Sequence, residues 1–249
     1  MLYAILFVLG AAWGSFLNVV ACRLQAGQQF LEGRSVCARC RRKLHWHDLV
    51  PVVSFLALWG KCRFCKKRIS AQYLLSELGT GALFVLGAGM VFSPLSSLLY
   101  LAVVSFFVVL FVYDLRTYVI PDKIVIPGII VIGALNALAA GPAVPLLLGA
   151  LLGGLWFLAQ FLVSRGRWVG GGDIRLGVLM GALLGYPMVF LGLGIAYVGG
   201  SIIALVLIAA RLTTFKSRLP FATLLLPAAF AAWLWGEAIW AWYRTIIGV

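Results

Sequence analysis

The sequence predicts an all-α membrane protein with about eight transmembrane helices and one cysteine-rich cytoplasmic loop. Of its 249 residues, 63% are hydrophobic and 11% are charged, whereas a soluble domain is about half apolar and about a quarter charged. The mean hydropathy is +1.07. Lysine and arginine are concentrated in alternate loops, and four of the five cysteines lie in one polar segment. The composition predicts the helices, the basic residues predict their orientation, and the cysteines predict a compact loop.

Eight apolar runs can serve as membrane spans, since a helix needs roughly 20 apolar residues to cross the hydrocarbon core. They occupy residues 2–22, 72–92, 95–113, 124–140, 144–164, 174–185, 187–210 and 221–247. The run at 174–185 is short, and omitting it would change the side on which the chain ends. We therefore predict a first transmembrane helix at 1–22, a cysteine-rich cytoplasmic domain at 23–71 and a seven-helix membrane domain at 72–249.

The positions of lysine and arginine favour eight spans. Eleven of the 20 basic residues lie between Arg23 and Arg68, and with eight spans all the others except Arg244 fall on the same side of the membrane. Cytoplasmic loops carry such an excess, so both termini are predicted outside and the basic loops in the cytoplasm. Topology and attraction to anionic membrane lipids account for the net charge of +13, and nucleic acid is not expected as a partner.

The cysteine-rich segment contains two CxxC pairs separated by 21 residues. The four cysteines are Cys37, Cys40, Cys62 and Cys65. Such pairs hold a tetrahedral zinc ion in ribbons and knuckles, and four thiolates leave no open position for catalysis. Disulfides are the alternative, but thiols stay reduced in the cytoplasm. The sequence therefore predicts a structural zinc site in a zinc-ribbon-like loop, with His45 and His47 as ordinary loop residues.

Two of the seven acidic residues, Asp114 and Asp173, lie where predicted spans meet the cytoplasmic edge. Ionisable groups at membrane depth are costly and indicate function. Two carboxyl groups that meet share one proton, which is the arrangement of an aspartic protease. One carboxylate deprotonates a water molecule, and the other, protonated, donates to the peptide carbonyl. The glycines at 170–172 would let the backbone approach a substrate closely.

Other interpretations of these acids remain open from spacing alone. Asp173 is also suited to be a helix N-cap after a glycine turn, and Asp122 to be a cap at the start of the next span. Asp114 and Arg116 are compatible with a snorkelling pair. Arg175 is either the counter-ion of Asp173 or a mark of the membrane boundary. An ion- or proton-coupled carrier uses the same kind of intramembrane acid.

Six segments in order resemble one known family. They are "GSFLNVVACRL" at 14–24, the cysteine segment at 37–70, "SELGTG" at 76–81, "DLRTYVIPD" at 114–122, "GGGDIRL" at 170–176 and "LPFATLL" at 219–225. Together they resemble the bacterial type IV prepilin peptidases, membrane aspartic proteases. The resemblance implies that Asp114 and Asp173 are the catalytic dyad. It also implies that the substrates are prepilins or type II secretion pseudopilins, cut after a glycine that precedes a hydrophobic helix.

The resemblance further implies the bacterial inner membrane and methylation of the new amino terminus with S-adenosylmethionine. Gly60 and Glu77 match family positions and are candidates for binding substrate or cofactor, as are Gly171 and Gly172 beside Asp173. The chain has no GxGxxG after a strand, so no Rossmann-type cofactor site is visible. A peptidase without methyltransferase activity is therefore a further alternative.

Overall fold

The structure, a computed structural model, describes residues 1–29, 35–37, 39–89, 93–140, 143–214, 217 and 220–247. Within these ranges the chain is nearly all helical, which confirms the predicted class. The helices are α1 (Leu2–Gln25), a 3-10 helix (Trp46–Leu49), α2 (Val53–Ala57), α3 (Ala71–Gly87), α4 (Pro94–Thr117), α5 (Asp122–Ala140), α6 (Ala143–Ser164), α7 (Gly171–Leu184), α8 (Met188–Ala209) and α9 (Ala222–Ile247). Parts of four predictions lie outside the described residues: 30–34 and Ala38 of the cysteine-rich domain, 90–92 of the second span, Leu219 of the last motif and, in the membrane domain, 90–92, 141–142, 215–216, 218–219 and 248–249.

Each of the eight predicted spans corresponds to one of the long helices. Among the described residues, six helices are long and apolar enough to cross a membrane: Leu2–Gln25, Pro94–Thr117, Asp122–Ala139, Ala143–Ser164, Met188–Ala209 and Ala222–Ile246. The other two are α3, with 17 residues, and α7, with 14. At about 1.5 Å per residue α7 is roughly 21 Å long, which is less than the about 30 Å of a hydrocarbon core.

The chain divides into two compact units, and the first comprises Met1–Tyr113. In this unit α1 packs along α3, because glycines let the two backbones approach closely. A Cβ on Gly10 would lie 2.7 Å from the Cβ of Phe84, and one on Gly14 would lie 2.7 Å from the hydroxyl of Thr80. The indole Nε1 of Trp13 donates to Ser105 Oγ at 2.9 Å, which joins α1 to α4.

The second unit comprises Asp114–Val249 and is built around α7. This short helix packs against α5, α6, α8 and α9, and most of its residues from Leu176 to Leu183 are buried. Its contact with α6 is centred on glycines of both helices. A Cβ on Gly153 or on Gly181 would overlap a carbonyl oxygen of the opposite helix. The shortest helix is thus the central one of this unit.

The length of α7 is set by glycines at both ends. The helix starts after Gly170, which has an extended conformation. It ends at Leu184 and is followed by Gly185, whose φ of 69° lies in the left-handed region that favours glycine. The N–H of Gly185 donates to Gly181 O at 2.8 Å. Asp173, in the first turn, is therefore carried by a short, buried helix.

Candidate functional site

Asp114 lies in the last turn of α4, and its carboxyl group contacts the start of α9. The residue is only 3% exposed. Its Oδ2 accepts a hydrogen bond from the backbone N–H of Thr223 at 3.3 Å, and the N–H of Ala222 also donates to the carboxyl group. The first N–H groups of a helix have no partner within it, and the helix dipole favours a negative charge there. The start of α9 therefore holds the Asp114 carboxyl group in place.

Asp173 is the third residue of α7, and its side chain folds back onto the start of the helix. Its Oδ2 accepts a hydrogen bond from Gly170 N at 2.8 Å, while its own N–H donates to Gly170 O at 3.1 Å. An acid at this position stabilises a helix start in the same way as the acid of a capping box. The N-cap itself is Gly170, so the N-cap interpretation of Asp173 is wrong in position, although the side chain does stabilise the first turn.

The structure brings Asp114 and Asp173 into one site within the second unit. Their carboxyl groups are close enough to interact electrostatically. The segments that carry them are packed together, since a Cβ on Gly172 would lie 2.8 Å from the Cβ of Ile120, which follows α4. The two acid-bearing motifs therefore form one structural element, with their carboxyl groups anchored by backbone N–H groups from α7 and α9.

The three glycines before Asp173 have different surroundings. A Cβ on Gly171 would have nothing within 4 Å, whereas one on Gly172 would overlap with Ile120. Gly172 is therefore required for packing. Gly171 is the glycine that leaves exposed backbone open beside Asp173.

Arg175 pairs with Asp122 and is not the counter-ion of Asp173. Its Nη1 lies 2.7 Å from Asp122 Oδ1, with the two side chains 42% and 51% exposed. Exposed pairs of this kind contribute little to stability. The pair nevertheless joins the first residue of α5 to the first turns of α7.

The four predicted cysteines form a single cluster in the first unit. Their sulfur atoms all lie within 4.8 Å of one another, and the Sγ atoms of Cys37 and Cys65 are 4.0 Å apart. Tetrahedral zinc with Zn–S bonds of about 2.3 Å needs sulfurs about 3.8 Å apart, so this donor set fits zinc. All five cysteines are free thiols, so the disulfide alternative is not supported. The rings of His45 and His47 stack on each other at 5.3 Å, and neither residue belongs to the cluster.

The two halves of the cluster repeat the same local structure. The N–H of Cys37 donates to Arg42 O at 3.0 Å, and that of Cys62 donates to Lys67 O at 2.9 Å. Each half is closed by an antiparallel bridge, Val36 with Lys43 and Lys61 with Arg68. In each half the residue after the second cysteine is left-handed, Arg41 with φ of 55° and Lys66 with φ of 57°. The segment is therefore a pair of equivalent knuckles.

The electrostatics of Cys37 also suit a metal ligand. Burial raises the pKa of its thiol, but backbone N–H groups of Cys40 and Arg39 and hydrogen bonds with the Cys62 and Cys40 side chains bring the pKa down to about 7. A thiol with this pKa is substantially ionised near neutral pH, and the thiolate is the form that binds metals. The pKa of Cys40 moves the other way, to about 11: a backbone hydrogen bond from Arg42 lowers it, but burial and the thiols of Cys37 and Cys65 raise it more.

Glu77 and Gly60 both have structural contacts in the first unit. The Glu77 side chain is buried, and its Oε2 accepts the N–H of Val52 at 2.7 Å. Val52 has φ of 62°, which is unfavourable for a β-branched residue, so Glu77 stabilises a strained turn before α2. Gly60 has φ of 63°, and a Cβ there would lie 2.9 Å from the Phe55 ring. Binding of substrate or cofactor by either residue stays a prediction.

Two sets of contacts in the second unit were not predicted from the sequence. One is the start of α9 at Ala222 and Thr223, for which Pro220 just before an apolar run was an available signal. The other is Asn136 of α5, whose Nδ2 donates to Ala182 O at 3.0 Å and to Leu183 O at 2.7 Å. A single amide in an otherwise apolar helix is a signal for a contact between helices.

Two family models match the chain. The bacterial peptidase A24 N-terminal domain matches residues 8–91, which include the four clustered cysteines. The type IV leader peptidase family matches residues 101–205, which include Asp114 and Asp173.

Several known proteins are similar to the chain over most of its length. A prepilin leader peptidase/N-methyltransferase of Bacillus subtilis (strain 168) is 33% identical over 248 residues, which are 96% of this chain and 97% of the relative. A protein of the same name from Klebsiella pneumoniae is 38% identical over 194 residues, 73% of this chain and 84% of the relative. One from Myxococcus xanthus (strain DK1622) is 33% identical over 213 residues, 82% of this chain and 63% of the relative. No solved structure matches the chain.

Proposed function

Because the chain belongs to the type IV leader peptidase family, we propose that it is a membrane aspartic endopeptidase that removes the leader of type IV prepilins and type II secretion pseudopilins and methylates the new amino terminus. One observation carries the peptidase part. Asp114 and Asp173 lie within electrostatic range in one helical unit, and each carboxyl group is anchored by backbone N–H groups. The shared name of the relatives supports both activities; it lends no support to a carrier.

In the proposed reaction the two carboxyl groups share one proton and divide the work of general base and general acid. The ionised group takes a proton from a water molecule, whose oxygen attacks the carbonyl carbon of the scissile peptide. The protonated group donates its proton to the carbonyl oxygen. When the C–N bond breaks, the leaving nitrogen takes the proton that came from the water molecule, and a hydroxyl group of the tetrahedral intermediate gives its proton to the other carboxyl group, which restores the singly protonated dyad. The N–H groups of Gly170 and Thr223 keep the carboxyl groups in fixed orientations, which avoids reorganisation during the reaction.

The proposed substrate fits a site at the cytoplasmic edge of the membrane. A prepilin has a short leader that stays in the cytoplasm and a hydrophobic helix that lies in the bilayer. Its scissile bond would therefore lie at the depth of the acids. The open backbone at Gly171, beside Asp173, offers a surface for the glycine of the substrate. We place the protein in the bacterial inner membrane, with residues 23–71 as its cytoplasmic cysteine-rich domain between a helix at 1–22 and a seven-helix domain at 72–249.

Two cofactors are part of the proposal. A zinc ion on Cys37, Cys40, Cys62 and Cys65 would stabilise a segment too small to have its own hydrophobic core. S-adenosylmethionine supplies the methyl group for the new amine. Since the contacts of Gly60 and Glu77 are structural, we propose no methyl-transfer step through them.

Replacing either aspartate by asparagine tests the dyad. Asp114→Asn and Asp173→Asn should each lower leader removal by about 10²–10⁴-fold or more, because each variant lacks one general acid or base. Each variant is co-expressed with a prepilin, and mass spectrometry of the pilin amino terminus reports cleavage and methylation together. Glu237→Gln, an acid-to-amide change at an exposed position of α9, is the matched control and should cleave normally.

The outcomes separate the alternatives. Cleavage retained by one aspartate variant would exclude that residue from the dyad. A carrier would leave the leader uncut even with the unmodified protein. Cleavage without an added methyl group would identify a peptidase that lacks methyltransferase activity.

A further inference from the structure

We propose that Asn136 is a positioning residue for Asp173: it holds the C-terminal end of α7 and thereby sets where the Asp173 carboxyl group lies relative to Asp114. The inference rests on the proposed peptidase function. It goes beyond that function because Asn136 lies on a different helix from either acid. Its amide donates hydrogen bonds to Ala182 and Leu183 and not to the acids.

Asn136 makes two hydrogen bonds from one buried amide. The residue is 4% exposed, and its Nδ2 donates to the carbonyl oxygens of Ala182 at 3.0 Å and Leu183 at 2.7 Å. An Nδ2 group has two hydrogens, so both are used. The contact joins α5 to the last turn of α7 and to no other helix.

The two carbonyls need a partner from outside α7. The last four carbonyl groups of a helix have no N–H partner within it, and α7 ends at Leu184. The N–H of Gly185 turns back to Gly181 O at 2.8 Å, which satisfies that carbonyl. Ala182 and Leu183 are buried, and a buried carbonyl without a donor is unfavourable. Asn136 supplies donors for both.

The way in which α7 packs on α6 explains why the Asn136 amide is needed to position α7. In that contact Gly149 and Gly153 lie against Gly177 and Gly181, while Phe157 of α6 packs on Gly177 and Val178 of α7 packs on Gly154. Among the described residues, only these two side chains interlock with glycines of the opposite helix on this face, so the face constrains the position of α7 along its axis less than a contact between rows of large side chains would. Directional hydrogen bonds at the helix end restrict that position further.

The helix α5 contacts α7 at both ends. Near the amide, a Cβ on Gly133 would lie 3.8 Å from Ala182 Cβ, so this face of α5 is close to α7. At the other end, Asp122 of α5 pairs with Arg175 at 2.7 Å. Because α5 follows Asp114 in the chain after a short connection, it links the position of one acid to that of the other.

A change at Asn136 is expected to reach Asp173 through the helix itself. Asp173 and Leu183 are ten residues apart in one hydrogen-bonded helix, about 15 Å along its axis. A shift or rotation of the last turn therefore moves the first turn as well. Misplacement of a catalytic group by about 1 Å costs on the order of 10²-fold in rate, whereas substrate binding need not change.

The experiment compares two amide-to-leucine variants of the full-length protein in lipid nanodiscs. Asn136→Leu removes the contact with α7. Gln160→Leu is the matched control, because its amide bonds Trp156 in its own helix and Tyr197 in α8. Asn136→Gln keeps two N–H donors on a side chain one methylene longer. For each variant we measure kcat and KM for a prepilin, and hydrogen exchange of the α7 amides with those of α8 as reference.

We expect Asn136→Leu to lower kcat by about 10- to 100-fold with KM within about twofold, and to accelerate exchange in α7 selectively. Asn136→Gln should recover part of the lost kcat, and Gln160→Leu should retain kcat. Unchanged kcat in Asn136→Leu, or equal losses in Asn136→Leu and Gln160→Leu, would overturn the proposal. If the unmodified protein cleaves no prepilin, the proposed function fails. Exchange in α7 then still decides whether Asn136 holds the helix, and unchanged exchange would overturn that too.

If Asn136→Leu does not insert or fold, Asn136→Gln carries the test. Its donors reach farther by one methylene, so α7 exchange and kcat should both change, with KM preserved. A folded Asn136→Gln protein with both quantities unaltered would overturn the proposal.

Discussion

At the scale of single residues, the neighbouring glycines 171 and 172 differ in what they do for the site. Gly172 lets the start of α7 pack against Ile120, and Gly171 faces open space. Ile120 belongs to the motif that carries Asp114, and both glycines belong to the motif that carries Asp173. The absence of one side chain, at Gly172, is therefore what allows the two acid-bearing segments to lie against each other.

Alanine should destabilise the protein in place of Gly172 but not in place of Gly171. Gly172→Ala should destabilise the protein by about 1–3 kcal/mol through overpacking and should lower cleavage, since a Cβ there lies 2.8 Å from Ile120 Cβ. Gly171→Ala should leave stability equal or raise it by up to about 1 kcal/mol, because alanine favours a helix. Thermal unfolding in detergent and prepilin cleavage measure both effects.

A compensating variant checks the cause. Ile120→Gly removes the Cβ that lies 2.8 Å from the new methyl group and the Cγ1 at 3.1 Å, so it should destabilise the Gly172→Ala protein less than it destabilises the unmodified protein. Equal stability losses for Gly171→Ala and Gly172→Ala would contradict this account of the packing. A loss of cleavage by Gly171→Ala without a loss of stability would support substrate approach at Gly171.

Individual residues were predictable from the sequence where their chemistry is rare in a membrane. Asp114 and Asp173 are conspicuous because so few acids occur in the chain. Their partners were not predictable, because Thr223 and Gly170 act through backbone N–H groups, which every residue has. The pairing of Arg175 with Asp122 depends on how α5 and α7 pack, and proximity in sequence pointed to Asp173 instead.

At the scale of elements, the cysteine-rich segment combines local turns with side-chain contacts such as Arg63 with Asp48 and with a hydrogen bond from Val52 to Glu77 of α3. CxxC spacing predicted the cysteine cluster, since that motif forms its turn locally. The two knuckles are also equivalent in their antiparallel bridges and in the left-handed conformations of Arg41 and Lys66. No hydrophobic periodicity in the sequence predicts these features. Glu77 and Val52 are 25 residues apart in the sequence, so their hydrogen bond could be identified only from the structure.

Removal of two cysteine ligands should release the metal. The Cys37→Ser, Cys40→Ser double variant should lose bound zinc, because two of four thiolate ligands are gone. Without the ion the segment has little core to keep it folded, so limited proteolysis within residues 39–70 should accelerate. Metal analysis of the purified protein and mapping of the cleavage sites measure the two effects.

Cys22→Ser is the matched control for this prediction. Cys22 lies in α1 outside the cluster, near Asn18 and Tyr73, so zinc content and proteolysis should match the unmodified protein. An unmodified protein that contains no zinc would exclude the zinc site.

At the scale of the whole molecule, the apolar runs predicted every long helix, but hydropathy could not predict how each helix is placed. The predicted run at 174–185 became α7, which is central and buried although it is the shortest of the eight. Burial by neighbouring helices and exposure to lipid both select apolar residues. The sequence pattern therefore does not distinguish a helix surrounded by protein from one that faces the bilayer.

The orientation of the chain depends on whether α7 crosses the membrane, and reporter insertion tests this. The segment between α6 and α7 contains Arg165 and Arg167, whereas Tyr186 and Pro187 after α7 are uncharged. The positive-inside rule therefore predicts cytoplasmic and outer positions, respectively. Alkaline phosphatase, inserted within the otherwise complete chain, should be inactive after Gly166 and active after Tyr186.

Because α7 is short, the activity of the phosphatase inserted after Tyr186 is the decisive measurement. With 14 residues the helix falls short of the full hydrocarbon thickness by roughly 9 Å. To connect the two sides it needs local thinning of the bilayer or a water-accessible end within the bundle. Asp173 in the first turn would be at such an end, which is where a peptidase needs water.

An inactive phosphatase after Tyr186 would mean that α7 returns to the side on which it entered. The basic loops before α7 and after α8 would then lie on opposite sides, and the predicted eight-span topology would be wrong.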